Sequence, residues 1–190
     1  MDINPATGWL KGVTSIESPN RDERPQGAEI DLLVIHAISL PPKEYGGGHV
    51  AALFTNTLDP SCHPCFEEIA DLKVSAHAFI CRDGGLVQFV PFLQRAWHAG
   101  ISCFGGREQC NDFSIGVELE GHDDEPFESV QYLRLAELTR VLMDAYPGIT
   151  RDCIVGHSEI APGRKTDPGP YFDWQYFRSL LTVVSNEGGL

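Results

Sequence analysis

Apolar residues recur along this chain with two periods, one of strands and one of helices. Residues 30–36, I-D-L-L-V-I-H, form a short run rich in branched apolar side chains and predict a buried strand that ends on His36. Residues 75–81 and 86–90 predict two more strands, and the R-D-G-G between them is a hairpin turn signal. In residues 113–120, F-S-I-G-V-E-L-E, Ile115, Val117 and Leu119 alternate with Ser114, Gly116, Glu118 and Glu120. Successive side chains of a strand point to opposite faces, so this strand has one apolar and one polar face. A polar face on an otherwise core-like strand is where a site is expected. Leu135, Leu138, Leu142 and Ala145 recur at helical spacing and predict one long helix over about 127–146, with Glu128 early in it and Pro147-Gly148 stopping it. A short helix over 49–57 would put Val50, Leu53, Phe54 and Thr57 on one face, and a terminal helix is predicted from Asp173 to about Val184. Another short strand leads into Gly156-His157, while the Pro- and Gly-rich stretches 41–48, 59–65 and 161–170 read as loops. Residues 95–100, R-A-W-H-A-G, show no period.

Strands interleaved with helices, with hairpin neighbours among them, predict an α/β fold: a single domain with a mixed β-sheet flanked by helices. A length of 190 residues suits one domain. Residues 1–29 mix Pro, Gly and charge and read as an irregular lead-in, residues 30–185 as the domain, and 186–190 as a C-terminal tail. Fourteen Lys and Arg against 27 Asp and Glu give a net charge of −13. That balance disfavours nucleic acid and anionic membrane surfaces as partners, since both need basic patches. Six cysteines are too few for a disulfide scaffold. With no apolar segment of signal-peptide or membrane-spanning type, the expectation is a cytoplasmic, soluble monomer with reduced thiols.

Candidate chemistry narrows quickly. Cys62-x-x-Cys65 has redox or zinc spacing, but no second such pair exists and it does not open a helix after a strand, so it reads as incidental loop thiols. The glycine runs at 46–48 and 105–106 lack the context of a phosphate loop and read as turns. Among seven histidines, His36 closes an apolar strand and His157 follows a short one, with Asp167 ten residues later in R-K-T-D-P-G-P. Two imidazoles and a carboxylate at strand and loop ends suit a tetrahedral Zn²⁺ with one open position. Taken singly, each also reads as an ordinary hydrogen-bonding or turn residue. Spacing alone leaves both readings open.

Several blocks, in order, carry a resemblance. They are I-H (35–36), P-S-C-H-P-C-F (60–66), S-A-H (75–77), R-A-W-H-A-G (95–100), C-N-D-F-S-I-G-V-E-L-E-G (110–121), G-H (156–157) and I-A-P-G-R-K-T-D-P-G-P (160–170). Together they resemble the amidase_2 family of zinc amidases, and within it the anhydro-muropeptide amidases of cell-wall recycling. The similarity extends from about Gly8 to Trp174. That family shares its fold with the peptidoglycan-recognition proteins, a mixed sheet with helices on it, in agreement with the element order above.

The resemblance implies that residues 30–185 form a zinc amidase domain and that one Zn²⁺ per chain is held by His36, His157 and Asp167. It also implies that Glu118 activates water and that Lys165 stabilises the oxyanion. Period 2 cannot separate Glu118 from Glu120, and the motif match chooses Glu118. His77 and His98 are expected behind the ligands, on the pocket wall or in plain packing, Trp97 as core or pocket wall, and Arg107 and Lys73 are candidates for contact with the stem-peptide carboxylates of a muropeptide. His49, His63 and His122 are expected to be non-ligands. The chain departs from the family pattern at Ala37, Ser158 and Gly163, and Gln109 stands where some relatives carry a basic residue. The expected activity is hydrolysis of the amide between (anhydro-)N-acetylmuramic acid and L-alanine. The competing reading is a non-catalytic muropeptide-binding module on the same fold. Such modules lose a metal ligand, whereas all three are present here.

Overall fold

Leu32, Leu33, Val34 and Ile35 are all fully buried, which only a strand covered on both faces allows. They open the strand on which the rest of the molecule is built. The computed structural model describes residues 1–182. The strands are β1 (Thr14–Ser15), β2 (Arg21–Glu23), β3 (Leu32–Ile38), β4 (Ala78–Ile80), β5 (Leu86–Gln88), β6 (Gln94–Ala96), β7 (Cys103–Phe104), β8 (Arg107–Glu108), β9 (Ser114–Glu120) and β10 (Ile154–Gly156). The α-helices are α1 (His49–Phe54), α2 (Ser129–Ala145), α3 (His157–Ile160) and α4 (Trp174–Thr182). Six strands form the central sheet in the order β1-β5-β4-β9-β3-β10. β3 runs parallel to both β9 and β10, and β4 is parallel to β9 but antiparallel to β5, so the sheet is mixed.

Alternation divides the core. Leu33, Ile35, Ile115, Val117 and Leu119 pack with Leu135, Leu138 and Leu142 of α2 and Phe177 of α4 on one face. The other face carries Leu32 and Val34 in one apolar cluster, while Phe54, Phe66, Phe79 and Phe89 form a second. Gln131, fully buried, locks the start of α2 to the sheet. Its amide donates to the carbonyls of Ile80 (3.2 Å) and Glu120 (3.0 Å), and its Oε1 accepts from the Glu128 N–H (3.0 Å). This is the flanked mixed sheet that the sequence predicts.

Boundaries differ from expectation for local reasons. β3 continues past His36 because its pairing with β9 runs on to Ile38↔Glu120. β4 begins at Ala78 rather than residue 75, since the Ser75 N–H donates to Trp97 O and the His77 ring takes the Gly116 N–H. α1 stops at Phe54, before Asn56 turns to a positive φ of 59°. The stretch 161–170 is a loop as expected, but the chain enters the short α3 at His157 before reaching it. Residues 1–29, read as irregular, contribute β1 to the sheet and β2 as a partner of β6. The expected tail 186–190 and the predicted helix end at Val184 lie outside the described residues.

Candidate metal centre and its cavity

Strand register assembles the site. Leu33 and Ile35 face the helices, so His36 falls on the other face, and parallel pairing sets it directly beside Glu118. Gly156 pairs with Ile35 at the end of β10, and the immediate turn into α3 brings His157 next to His36. A Cβ on Gly156 would lie 2.8 Å from Pro168 Cδ, so glycine lets the 161–170 loop settle on the strand end. The Ser158 N–H then donates to the Asp167 carbonyl at 3.0 Å. His36 Nδ1 lies 3.0 Å from His157 Nδ1, and Asp167 Oδ2 lies 3.1 Å from each.

The chemistry of this trio fits a cation. His157 Nε2 sits 3.2 Å from the Ala99 carbonyl, which can only accept, so Nε2 carries a proton and donates to it while Nδ1 turns inward. Burial lowers the His36 pKa to about 4, with Asp167 opposing the shift, so this ring is neutral. Burial pushes the Asp167 carboxyl up, but the His157 imidazole beside it outweighs that push and holds the group well below the usual carboxylate range. Two imidazoles and an ionised carboxylate thus surround one point, and those atoms all lie within 4.8 Å of one another. Two nitrogens, one oxygen and an open side form a donor set suited to Zn²⁺.

Glu118 stands beside the trio. Its Oε2 is sealed from solvent without a hydrogen-bond partner. Burial drives its carboxyl well above the usual range, the negative Asp167 adds to the rise, and Lys165 opposes it. Lys165 is exposed and lines the same cavity of about 260 Å³, whose apolar wall includes Leu53, Phe54, Ile69 and Leu72. Glu120, on the same strand face, is committed elsewhere. It accepts from the N–H groups of Gly46 (2.5 Å) and Arg82 (2.9 Å) and so ties two loops to the sheet. A larger hollow of about 540 Å³, lined by Gly100, Ile101, Gln109, Pro162 and Arg164, holds none of the three donors.

The other predicted residues divide. His98 lines the cavity and reaches His36, with its Nδ1 2.9 Å from His36 Nε2. His77 does not reach the cavity: it is fully buried, its Nδ1 accepts the Gly116 N–H and its Nε2 faces Gln94 O. Trp97 is half-buried and is not part of the cavity wall. Lys73 is exposed, between the lining residues Leu72 and Val74. Arg107 is removed from the cavity because Asp31 pairs with it at 2.9 Å and its guanidinium lies 3.9 Å over the Phe113 ring. Cys62 and Cys65 are free thiols, as the loop reading has it. Two supports escaped the sequence reading. Asn111 Oδ1 accepts from the N–H groups of His98 (3.1 Å) and Ala99 (2.8 Å), and Arg164 Nη2 donates to the carbonyls of Ala99 (2.6 Å) and Ile101 (2.7 Å). The Asn within C-N-D-F-S, just ahead of a strand, was the available signal for the first.

Known proteins share this fold and much of this sequence. Residues 26–170 match the Amidase_2 family, described as N-acetylmuramoyl-L-alanine amidase. The chain is 57% identical over 175 residues to the 1,6-anhydro-N-acetylmuramyl-L-alanine amidase AmpD of Escherichia coli K12, covering 92% of this chain and 95% of that one. It is 55% identical over 174 residues to AmpD of Haemophilus influenzae, with 92% and 95% covered. A crystal structure of a selenomethionine AmpD derivative superposes with a TM-score of 0.92 at 53% identity, across 96% of this chain and 100% of the other. The complex of Escherichia coli AmiD with anhydro-N-acetylmuramic acid-L-Ala-D-γ-Glu-L-Lys gives a TM-score of 0.60 at 30% identity, with 83% and 60% covered. Fold and relatives together define an amide-bond hydrolase. The chain belongs to the N-acetylmuramoyl-L-alanine amidase family.

Proposed function

We propose that this protein cleaves the amide between the lactyl group of 1,6-anhydro-N-acetylmuramic acid and L-alanine in small muropeptides, with one Zn²⁺ held by His36, His157 and Asp167. The observation that carries the reading is the convergence of those three donor atoms, 3.0–3.1 Å apart, beside an unpartnered carboxyl in one cavity. When bound, the ion would polarise the amide carbonyl and acidify a water molecule. Glu118 takes the proton of the attacking water and returns it to the leaving nitrogen, so one carboxylate serves as base and then acid. Lys165 donates to the oxygen that gains charge as the carbonyl becomes tetrahedral, an interaction stronger in the transition state than before it. The apolar wall excludes bulk water and strengthens both effects. Six free thiols support a reducing compartment, and we place the activity in the cytoplasm.

The test is product analysis by the zinc-loaded protein on purified anhydro-muropeptide and, separately, on intact sacculus. Release of free peptide from the first and little from the second is expected. Binding of anhydro-muropeptide without cleavage at full zinc occupancy would make the protein a recognition module. Metal content supplies a second check: Asp167→Ala is expected to lose zinc, and full occupancy in that variant would remove Asp167 from the ligand set.

A further inference from the structure

We propose that His98 and Ser114 form a proton-ordering relay that holds His36 in the tautomer whose Nδ1 lone pair faces the metal. The relay ends on an atom that can only accept. Ser114 Oγ lies 2.6 Å from the carbonyl oxygen of Cys110, so its hydroxyl proton points there. The same Oγ lies 3.1 Å from His98 Nε2, and with its own proton spent it accepts, so His98 carries its proton on Nε2. His98 Nδ1 is then bare and faces His36 Nε2 at 2.9 Å, so His36 Nε2–H donates to it. Each neutral ring has one proton, which leaves His36 Nδ1 free for the ion. The proton order is thus set link by link from a backbone carbonyl.

The surroundings hold this relay in place. His98 is buried, and its ring lies directly against Gly116. A Cβ there would stand 2.4 Å from His98 Cγ and 2.5 Å from its Nδ1, a space that only glycine leaves open. Beneath it, His77 Nδ1 accepts the Gly116 N–H at 3.0 Å and anchors that strand position. The side chain of Asn111 grips the His98 backbone from the other side. Ser114 and Gly116 therefore serve the centre without touching it, which explains the polar face of β9 beyond its glutamates. The role of His98 is positioning. A group that orients a ligating histidine and fixes its tautomer commonly affects metal affinity by ~10–100-fold.

The inference rests on the metal role proposed for His36, and the experiment separates the two. The first measurement uses the metal-free wild-type protein: long-range ¹H–¹⁵N correlation of the histidine rings. His36 protonated on Nε2 and His98 protonated on Nε2 are expected, and His36 protonated on Nδ1 would overturn the relay whatever the protein binds. The second is zinc affinity by competition with a chelator. His98→Leu is expected to weaken zinc binding by ~10–100-fold, whereas His98→Asn, whose Oδ1 offers an acceptor at the place of Nδ1, stays within a few-fold of wild type. Ser114→Ala is expected to populate both His98 tautomers and to fall between them. Wild-type affinity in His98→Leu, or equal loss in the Leu and Asn variants, would overturn the proposal. Failure of the wild-type protein to bind zinc would instead strike the metal reading, and the ring spectra would still decide the relay.

Discussion

Glu118 and Glu120 lie two positions apart on one strand face, yet their surroundings assign them opposite work. Both oxygens of Glu120 are occupied by loop N–H groups, while Glu118 keeps a buried oxygen without a partner next to the donor trio. Glu118→Gln keeps the shape and removes the proton acceptor. Its kcat on anhydro-muropeptide is expected to fall by ~10²–10⁴-fold with little change in KM and in zinc content. Glu120→Gln is expected to spare kcat and to lower stability, read from urea denaturation, because two backbone donors lose a charged partner. A larger kcat loss in the Glu120 variant would reverse the assignment. Lys165→Ala is expected to lose ~10²–10³-fold in single-turnover rate at full zinc occupancy, the effect of deleting one oxyanion donor. Arg is expected to rescue poorly at that position, since a planar fork does not replace a point charge. Near-wild-type single-turnover rates for Lys165→Ala would remove Lys165 from the chemistry. Period 2 placed both glutamates on the polar face, but it carries no information about which carboxylate a distant loop will claim.

At the scale of elements, the long periodic segments were legible: 30–36, 113–120 and the α2 helix all stand close to where the pattern put them. Of the short strands, β4, β5 and β10 were legible as well, and the others were not. β1, β2 and β6 have two or three residues each, too few for any period, and exist because a remote partner pairs with them. Arg24, just after β2, shows what fixes that region. Its guanidinium donates to the carbonyls of Asn111 (3.1 Å), Asp112 (3.0 Å), Phe92 (3.1 Å) and Ser114 (2.8 Å), stitching the N-terminal segment to the turn before β9. Burial lowers its pKa to about 10, which still leaves it charged near neutrality. Arg24→Met is expected to cost about 2–3 kcal/mol in urea denaturation, since buried carbonyls lose a charged donor. Lys is expected to restore little, because one ammonium cannot span the four carbonyls. Wild-type stability in Arg24→Met would show that β2 is held by its pairing alone.

For the whole molecule, the buried histidines set a pH response of the metal-free form. His36 titrates near 4 when folded against an ordinary 6.5, and burial shifts His77 and His98 in the same direction. The unfolded chain therefore binds more protons in that window, so the stabilisation is complete above about 6.5 and is lost as pH falls toward 4. Asp167, also lowered, adds a loss further down the scale, while Glu118, raised by burial, works the other way and offsets part of the change from the three histidines. The urea midpoint of the metal-free protein is expected to drop between pH 7 and pH 5, and added zinc is expected to raise it more at pH 7, where the ligands are deprotonated. A midpoint that rises on acidification would contradict this account. The donor trio also has a consequence for biosynthesis. His36 and His157 are 121 residues apart in the chain. At ~5–20 residues per second, a ribosome exposes the first ligand roughly 6–24 s before the second. By then β9 has been synthesised as well, and β3 needs no ion to pair with it, because pairing and apolar burial suffice. On the metal role proposed for the trio, zinc would be captured by strands already paired, and its supply would govern how soon activity appears after translation rather than whether the chain folds.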